Sequence, residues 1–275
     1  MKNKILLTSI CTFLLFFDLH AQLSIDAVNT TYQITFDATV SNVNNGTFNG
    51  TGFSSSPSSG QLDSDAFSTT GFGTNVAFGA TGDSGDPARG SSSGGVSTGG
   101  VYAFEVSSSN YGIGVQAAGS DFTPGSIILR VTNNTGSTVD RLLISYSVYF
   151  NNNGSSDKIS SFEFSHNIGG NTDVNELDKN SPGAGDSNGW QRTTFNTTIS
   201  GISISNGSTI EFTWTGDDVS GGGSRDEVAL DDISIIMNGA GGNITGDAGW
   251  RLLSLPIASG DVSDVSDDSP VQGIT

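Results

Sequence analysis

Apolar and polar residues alternate with a period of two along much of the chain. In 31–40, TYQITFDATV, the side chains of Tyr32, Ile34, Phe36, Ala38 and Val40 fall on one face, and Gln33, Thr35, Asp37 and Thr39 on the other. Such a pattern predicts a half-buried strand. The same period recurs in SIILRVT (Ile127, Leu129, Val131), RLLISYSVYF (Leu142, Ile144, Tyr146, Val148, Phe150) and TIEFTW (Ile210, Phe212, Trp214). Shorter strands are expected at 101–106, 111–116, 161–166 and 193–199. Asn-Gly, Gly-Ser and Asn-Asn clusters at 45–50, 133–137, 151–156 and 206–208 supply the turns between them. No ten-residue stretch carries a helical period. About nine or ten strands punctuated this way predict an all-β fold, a two-sheet antiparallel sandwich of jelly-roll type.

Two regions depart from the pattern. Residues 51–100 are rich in Gly and Ser, with Phe53, Phe67, Phe72 and Phe78 spaced through them. They read as irregular excursions pinned to the core by their aromatics, or as a low-complexity linker. From 240 onward GAGG reads as a linker, and GWRLLSLPI starts a new apolar run that is too short to bury a core alone. The expected organisation is a signal peptide at 1–21, a sandwich module at 22–239, and a linker with the start of a further, truncated module at 240–275.

The signal rests on three features in order. Lys2 and Lys4 are basic, Ile5–Phe17 is a 13-residue run that is almost wholly apolar, and Ala21 stands just before Gln22 as the cleavage position. A membrane span needs about 20 apolar residues, so the chain is expected to be exported, extracellular or at the cell surface, without membrane insertion after cleavage. The one cysteine, Cys11, lies in that signal, which removes disulfides, thiol nucleophiles and cysteine zinc sites from the rest.

The net charge of −18 makes nucleic acid and anionic lipid poor partners and divalent cations good ones; it also serves plain solubility. The acids crowd in 224–237, SRDEVALDDISIIM. Val228 and Leu230 share one parity, whereas Ile233, Ile235 and Met237 share the other. A strand can point both sets at one core only through a β-bulge near Asp231-Asp232. Asp226, Glu227, Asp231 and Asp232 are thereby drawn together, with Asp217 and Asp218 in the loop before them. Calcium, which takes 6–8 oxygens, would relieve their repulsion, and Arg225 offers a salt-bridge explanation instead.

The phrase DEVALDDISI resembles the closing strand of extracellular jelly-roll modules, including the MAM type. Together GFSSSPSSGQLDSDAF (52–67), GVSTGGVYAF (95–104), GSDFTPGSIILRVTNNTG (119–136) and SRDEVALDDISI (224–235) are similar to an uncharacterised module of secreted bacterial proteins, often cargo of type IX secretion. The resemblance implies a secreted multidomain context, sometimes beside hydrolase or nuclease domains, and no settled activity. GWRLLSLPI is similar to a further segment of such proteins. The C-terminal sorting domain that the resemblance leads one to expect does not follow it.

Catalytic chemistry has few candidates. His166, at a strand end, is the one histidine beyond the signal, and no GxSxG elbow accompanies it. Zinc hydrolysis lacks ligands. Glu105, Glu163 and Glu211 leave a carboxylate pair open, although the ExDxxE pattern of laminarinase-like jelly rolls is missing. Sugar stacking needs exposed aromatics on a sheet face. Trp190 and Tyr149 are the ligand-binding candidates, and Trp214 is expected in the core. Asp63 and Asp65 are either an ion-ligand pair or an Asx-turn. These readings lead to a non-catalytic binding or adhesion module, calcium-stabilised, for an extracellular glycan or surface protein. The alternatives are part of a polymer-degrading hydrolase, or a structural spacer.

Overall fold

A computed structural model of the chain describes residues 22–151, 160–170, 172–175, 178–181, 189–219 and 225–239. The predicted signal and the 240–275 tail lie outside them. The strands are β1 (Leu23–Ile25), β2 (Thr31–Ile34), β3 (Phe53–Ser54), β4 (Leu62–Asp63), β5 (Phe67–Thr70), β6 (Ser91–Ser92), β7 (Gly100–Ser107) and β8 (Asn110–Gln116). They continue as β9 (Gly125–Asn133), β10 (Val139–Asn151), β11 (Ser160–His166), β12 (Thr172–Asp173), β13 (Lys179–Asn180), β14 (Trp190–Ile204), β15 (Thr209–Asp218) and β16 (Glu227–Gly239). Among the described residues no helix is long and apolar enough to cross a membrane.

Two sheets form the sandwich. Sheet A runs β1-β9-β15-β11-β12, with β5 also on β9 and β13 on β11; sheet B runs β14-β10-β16-β8-β7-β6, with β2 also on β16. From β9 onward the long strands alternate between the sheets, which is jelly-roll connectivity. The pairing is antiparallel except for β1–β9, β3–β4 and β6–β7, which are parallel. Alternate residues of β9, β10, β15 and β16 enter the core, as the period of two requires. Tyr146 of sheet B meets Trp214 and Phe164 of sheet A with ring centroids 5.3 and 5.5 Å apart, and Trp214 is fully buried as expected.

Residues 31–40 correct the sequence reading. The strand stops at Ile34, because Phe36 adopts φ +58° to drop its ring into the core, and Ala38 is exposed. A positive φ ends the alternation on which the longer strand was based. In 51–100, Phe53, Phe67 and Phe72 are buried in the main core, so these excursions are pinned as anticipated. Phe78 instead lies half-exposed under the Arg130 guanidinium, 3.5 Å from its ring centre.

The bulge falls where the parity break places it. Ser145 pairs with Ser234 and Ser147 with Asp231, so Tyr146 faces two residues, and Asp232 takes φ +53°. Val228, Leu230, Ile233, Ile235 and Met237 are all buried in the core as a result. The bulge also marks a change of neighbour. Before it β16 pairs with β8 (Leu230 with Ile113), and after it with β2 (Ile233 with Ile34).

Candidate functional site

Among the described residues, the outer face of sheet A is partly exposed, with Glu163 exposed and its neighbours half-buried. Along β11 and β15 the outward positions are Glu163, Ser165, Glu211, Thr213 and Thr215, with Glu163 beside Thr215 and Ser165 beside Thr213. A shallow groove of about 250 Å³ lies over them, lined by Glu163, Phe164, Ser165, Asp173 and Thr215. Partial burial raises the Glu163 carboxyl above its ordinary range, and the charges of Asp178, Asp173 and Asp217 add to this. Further along, Arg130 holds the Glu211 carboxylate at 2.8 Å.

The candidate carboxylate pair is not assembled. Glu105 lies on sheet B, where it accepts the Ser109 N–H at 2.9 Å. Glu163 and Glu211 share a face, yet Glu163 pairs with Thr215, four positions along β15 from Glu211. At about 3.3 Å per residue that is roughly 13 Å, beyond the ~9.5 Å upper limit for an acid–base pair. His166 is buried, its Nδ1 accepts the Ile168 N–H at 3.2 Å, and burial lowers its pKa. Asp63 and Asp65 form the Asx-turn: Asp63 Oδ1 accepts the Asp65 N–H at 2.8 Å.

The outer face of sheet B has a different character near the start of β16. Tyr102, Phe104, Val106, Tyr149 and Ala229 form a second apolar cluster, with Val96 and Trp190 packed against it. Gly114 makes this possible: a Cβ there would lie 2.4 Å from the Phe104 ring. The segment around Val96 covers the cluster. Val96 N–H donates to Glu227 at 2.6 Å, the Trp190 indole N–H to Ser93 O at 2.9 Å, and the Tyr102 hydroxyl to Thr98 O at 2.9 Å. Tyr149 is therefore buried and offers no free ring face, whereas Trp190 is half-exposed at the rim.

The six acids read as one constellation are distributed over three places. Asp217 and Asp218 do not lie in a loop but end β15, because its pairing with β11 runs on to Ser160, and Asp218 pairs with the buried Arg225, the salt-bridge alternative. Asp226 and Glu227 are buried where β16 begins, and Glu227 is engaged by Val96. Asp231 and Asp232 stand at the bulge. Among the described residues, no three His, Cys, Asp or Glu side chains converge closely enough to hold a metal ion.

Around the bulge lie residues that the sequence did not single out for a site. Arg192 donates to Asp232 Oδ2 at 2.7 Å and to Ser147 Oγ at 2.9 Å, with its guanidinium 5.9 Å from the centre of the Tyr149 ring. Asp37 accepts the Tyr111 N–H at 2.7 Å, and its carboxyl is raised by burial and by Asp232. Asp231 is fully buried. Its Oδ1 accepts the Asp232 N–H at 2.7 Å, but its Oδ2 makes no hydrogen bond of normal geometry. Burial pushes its carboxyl up to about 7, and Asp232 and Asp37 add to the rise, while the Asp232 N–H and the nearby Asn110 amide favour the charged form.

No family model and no curated protein matches the chain. Solved structures do. A non-crystalline-cellulose-specific carbohydrate-binding module of family 28 is 9% identical, covering 51% of this chain and 80% of its own, with a TM-score of 0.35. The xylan-binding CBM22-1 domain of Paenibacillus barcinonensis Xyn10C is 14% identical over 53% of this chain and 84% of its own, TM-score 0.32. The mannan-recognising module TmCBM27 is 13% identical over 50% and 82%, TM-score 0.31.

Proposed function

We propose that the chain is a non-catalytic binding module of an exported protein, and that its ligand is a glycan laid along the outer face of sheet A. The observation that carries this reading is the open groove over β11 and β15. Glu163 and Asp173 supply acceptors, while the Ser165, Thr213 and Thr215 hydroxyls can donate or accept, so the face matches a row of sugar hydroxyls. These groups stand on a rigid sheet, which holds them in register without an ordering cost on binding. With a net charge of −18, the protein disfavours uronic or sulfated polymers and suits neutral ones.

Calorimetric titration with soluble xylan, mannan and a soluble cellulose derivative tests this. The expected result is binding to at least one, weakened about tenfold or more in Glu163→Gln combined with Thr213→Val. Trp190→Ala, on the opposite sheet, leaves that affinity unchanged; loss of binding there instead moves the site to the Trp190 rim beside Tyr149. Absence of binding to all three polymers sinks the reading.

One observation favours a second reading, a hydrolase. The Glu163 carboxyl is raised by partial desolvation and by neighbouring acids, and Asp173 lines the same groove. It predicts release of new reducing ends that Glu163→Gln abolishes, whereas a binding module releases none.

A further inference from the structure

We infer that Asp231 and Asp37, with the amide of Asn110, form a binding site for one hard divalent cation of the calcium class beside the β16 bulge. The site differs from the constellation legible in the sequence. It takes one acid from that set and adds two residues far away in the chain, Asp37 beyond the end of β2 and Asn110 at the start of β8.

Three features lead to it. The first is the unpartnered oxygen. Asp231 is 0% exposed and its Oδ2 has no hydrogen-bond partner of normal geometry. Buried acceptors left unpaired are rare in folded proteins and costly when charged, so this one calls for a counterpart. The second is local charge. Asp37, Asp231 and Asp232 lie within electrostatic reach of one another. The one cation among them, Arg192, is committed to Asp232 and Ser147. Among the described residues no Lys or Arg forms a salt bridge with Asp231 or Asp37. The third is the backbone. Asp232 at φ +53° lifts the strand out of its regular course beside Asp231. On the neighbouring strand Gly112 leaves room: a Cβ there would come within 3.4 Å of the Asp231 Cβ. The turn between β7 and β8 delivers Asn110, and the Tyr111 N–H holds Asp37 in place.

The ligand atoms are all oxygens, as a hard cation requires, with the Asn110 amide turned to present Oδ1 where its N–H now favours the Asp231 carboxylate, and with no imidazole or thiolate to select zinc. Two carboxylates and one amide supply fewer than the 6–8 oxygens that calcium takes, so water completes the shell. A site with so few charges belongs to the weak range of extracellular modules, with a dissociation constant on the order of 0.1–1 mM.

The test is thermal melting of the full chain at pH 8 after treatment with EDTA and exchange into chelator-free buffer, with calcium then titrated in at constant ionic strength. Saturating calcium is expected to raise Tm by about 5–10 °C near 100 times the dissociation constant, and equimolar magnesium by less. Asp231→Asn and Asp37→Asn each abolish the response, while Asp217→Asn at the far end of sheet A retains it. Asp37 is only half-buried, so its variant keeps the test decisive if Asp231→Asn does not fold. A wild-type protein indifferent to calcium, in melting and in calorimetry alike, overturns the inference. A calcium response that survives in both variants overturns it too.

Discussion

Asp63 shows how a single carboxylate sets the pH response of the fold. It is 4% exposed, and burial raises its carboxyl to about 6, with Asp65 adding to the shift and the Asp65 N–H opposing it. The folded chain therefore holds this proton more tightly than the unfolded one. Stability from this residue is greatest below about pH 4, falls as the pH rises toward about 6, and stays low above that. Asp63→Asn removes the charge but keeps the oxygen that accepts the Asp65 N–H. The variant is expected to melt about 3–6 °C higher at pH 8 and at the wild-type temperature at pH 4, by scanning calorimetry at the two pH values. Equal shifts at both would mean that the charge is not the cause. Sequence reasoning recognised this Asx-turn as one of two alternatives. It had no means to separate them, since the choice depends on the burial of two aspartates by segments elsewhere in the chain.

Among the elements, β16 is the central strand of sheet B, joined to β10 along one edge and to β8 and then β2 along the other. The bulge in it is dispensable for the core. Deleting Asp232 would turn the two-against-one pairing opposite Tyr146 into regular pairing, and would leave Ile233, Ile235 and Met237 pointing inward. The deletion is therefore expected to fold with a cooperative melt within a few degrees of wild type, while losing the Arg192 ion pair and any calcium response. Loss of the fold would show that the partner change from β8 to β2 needs the extra residue. On β8, Gly114→Val drives a side chain into Phe104 and the Val228 carbonyl oxygen, the latter only 2.6 Å from the first added carbon. A cost of about 2–3 kcal/mol is expected from urea unfolding.

These elements also show what could be read beforehand. The bulge was legible because its cause is local: five aliphatic residues change parity within ten positions. The outer faces were not. Whether Tyr149 lies free or covered depends on Val96 and its neighbours, more than 50 positions away. Asp37 read as one outward residue of a long strand that in fact stops at Ile34.

For the whole molecule, the consequence of alternation between the sheets is temporal. Apart from β6–β7–β8 in sheet B and β11–β12 in sheet A, strands that pair within either sheet are not consecutive in the chain. Ile34 finds its partner only at Ile233, Leu23 pairs with Val131, and β10 waits for β14 and β16. Contacts so distant in sequence make folding slow, on the scale of milliseconds to seconds or longer. They also make it late, since sheet B has no central strand until residues 227–239 are present. A chain ending at Ser224 is accordingly expected to lack near-ultraviolet circular dichroism and to be digested rapidly by protease. About four-fifths of the chain therefore precedes the strand that completes sheet B, and the arrival of residues 227–239 acts as the trigger that commits the rest to its fold.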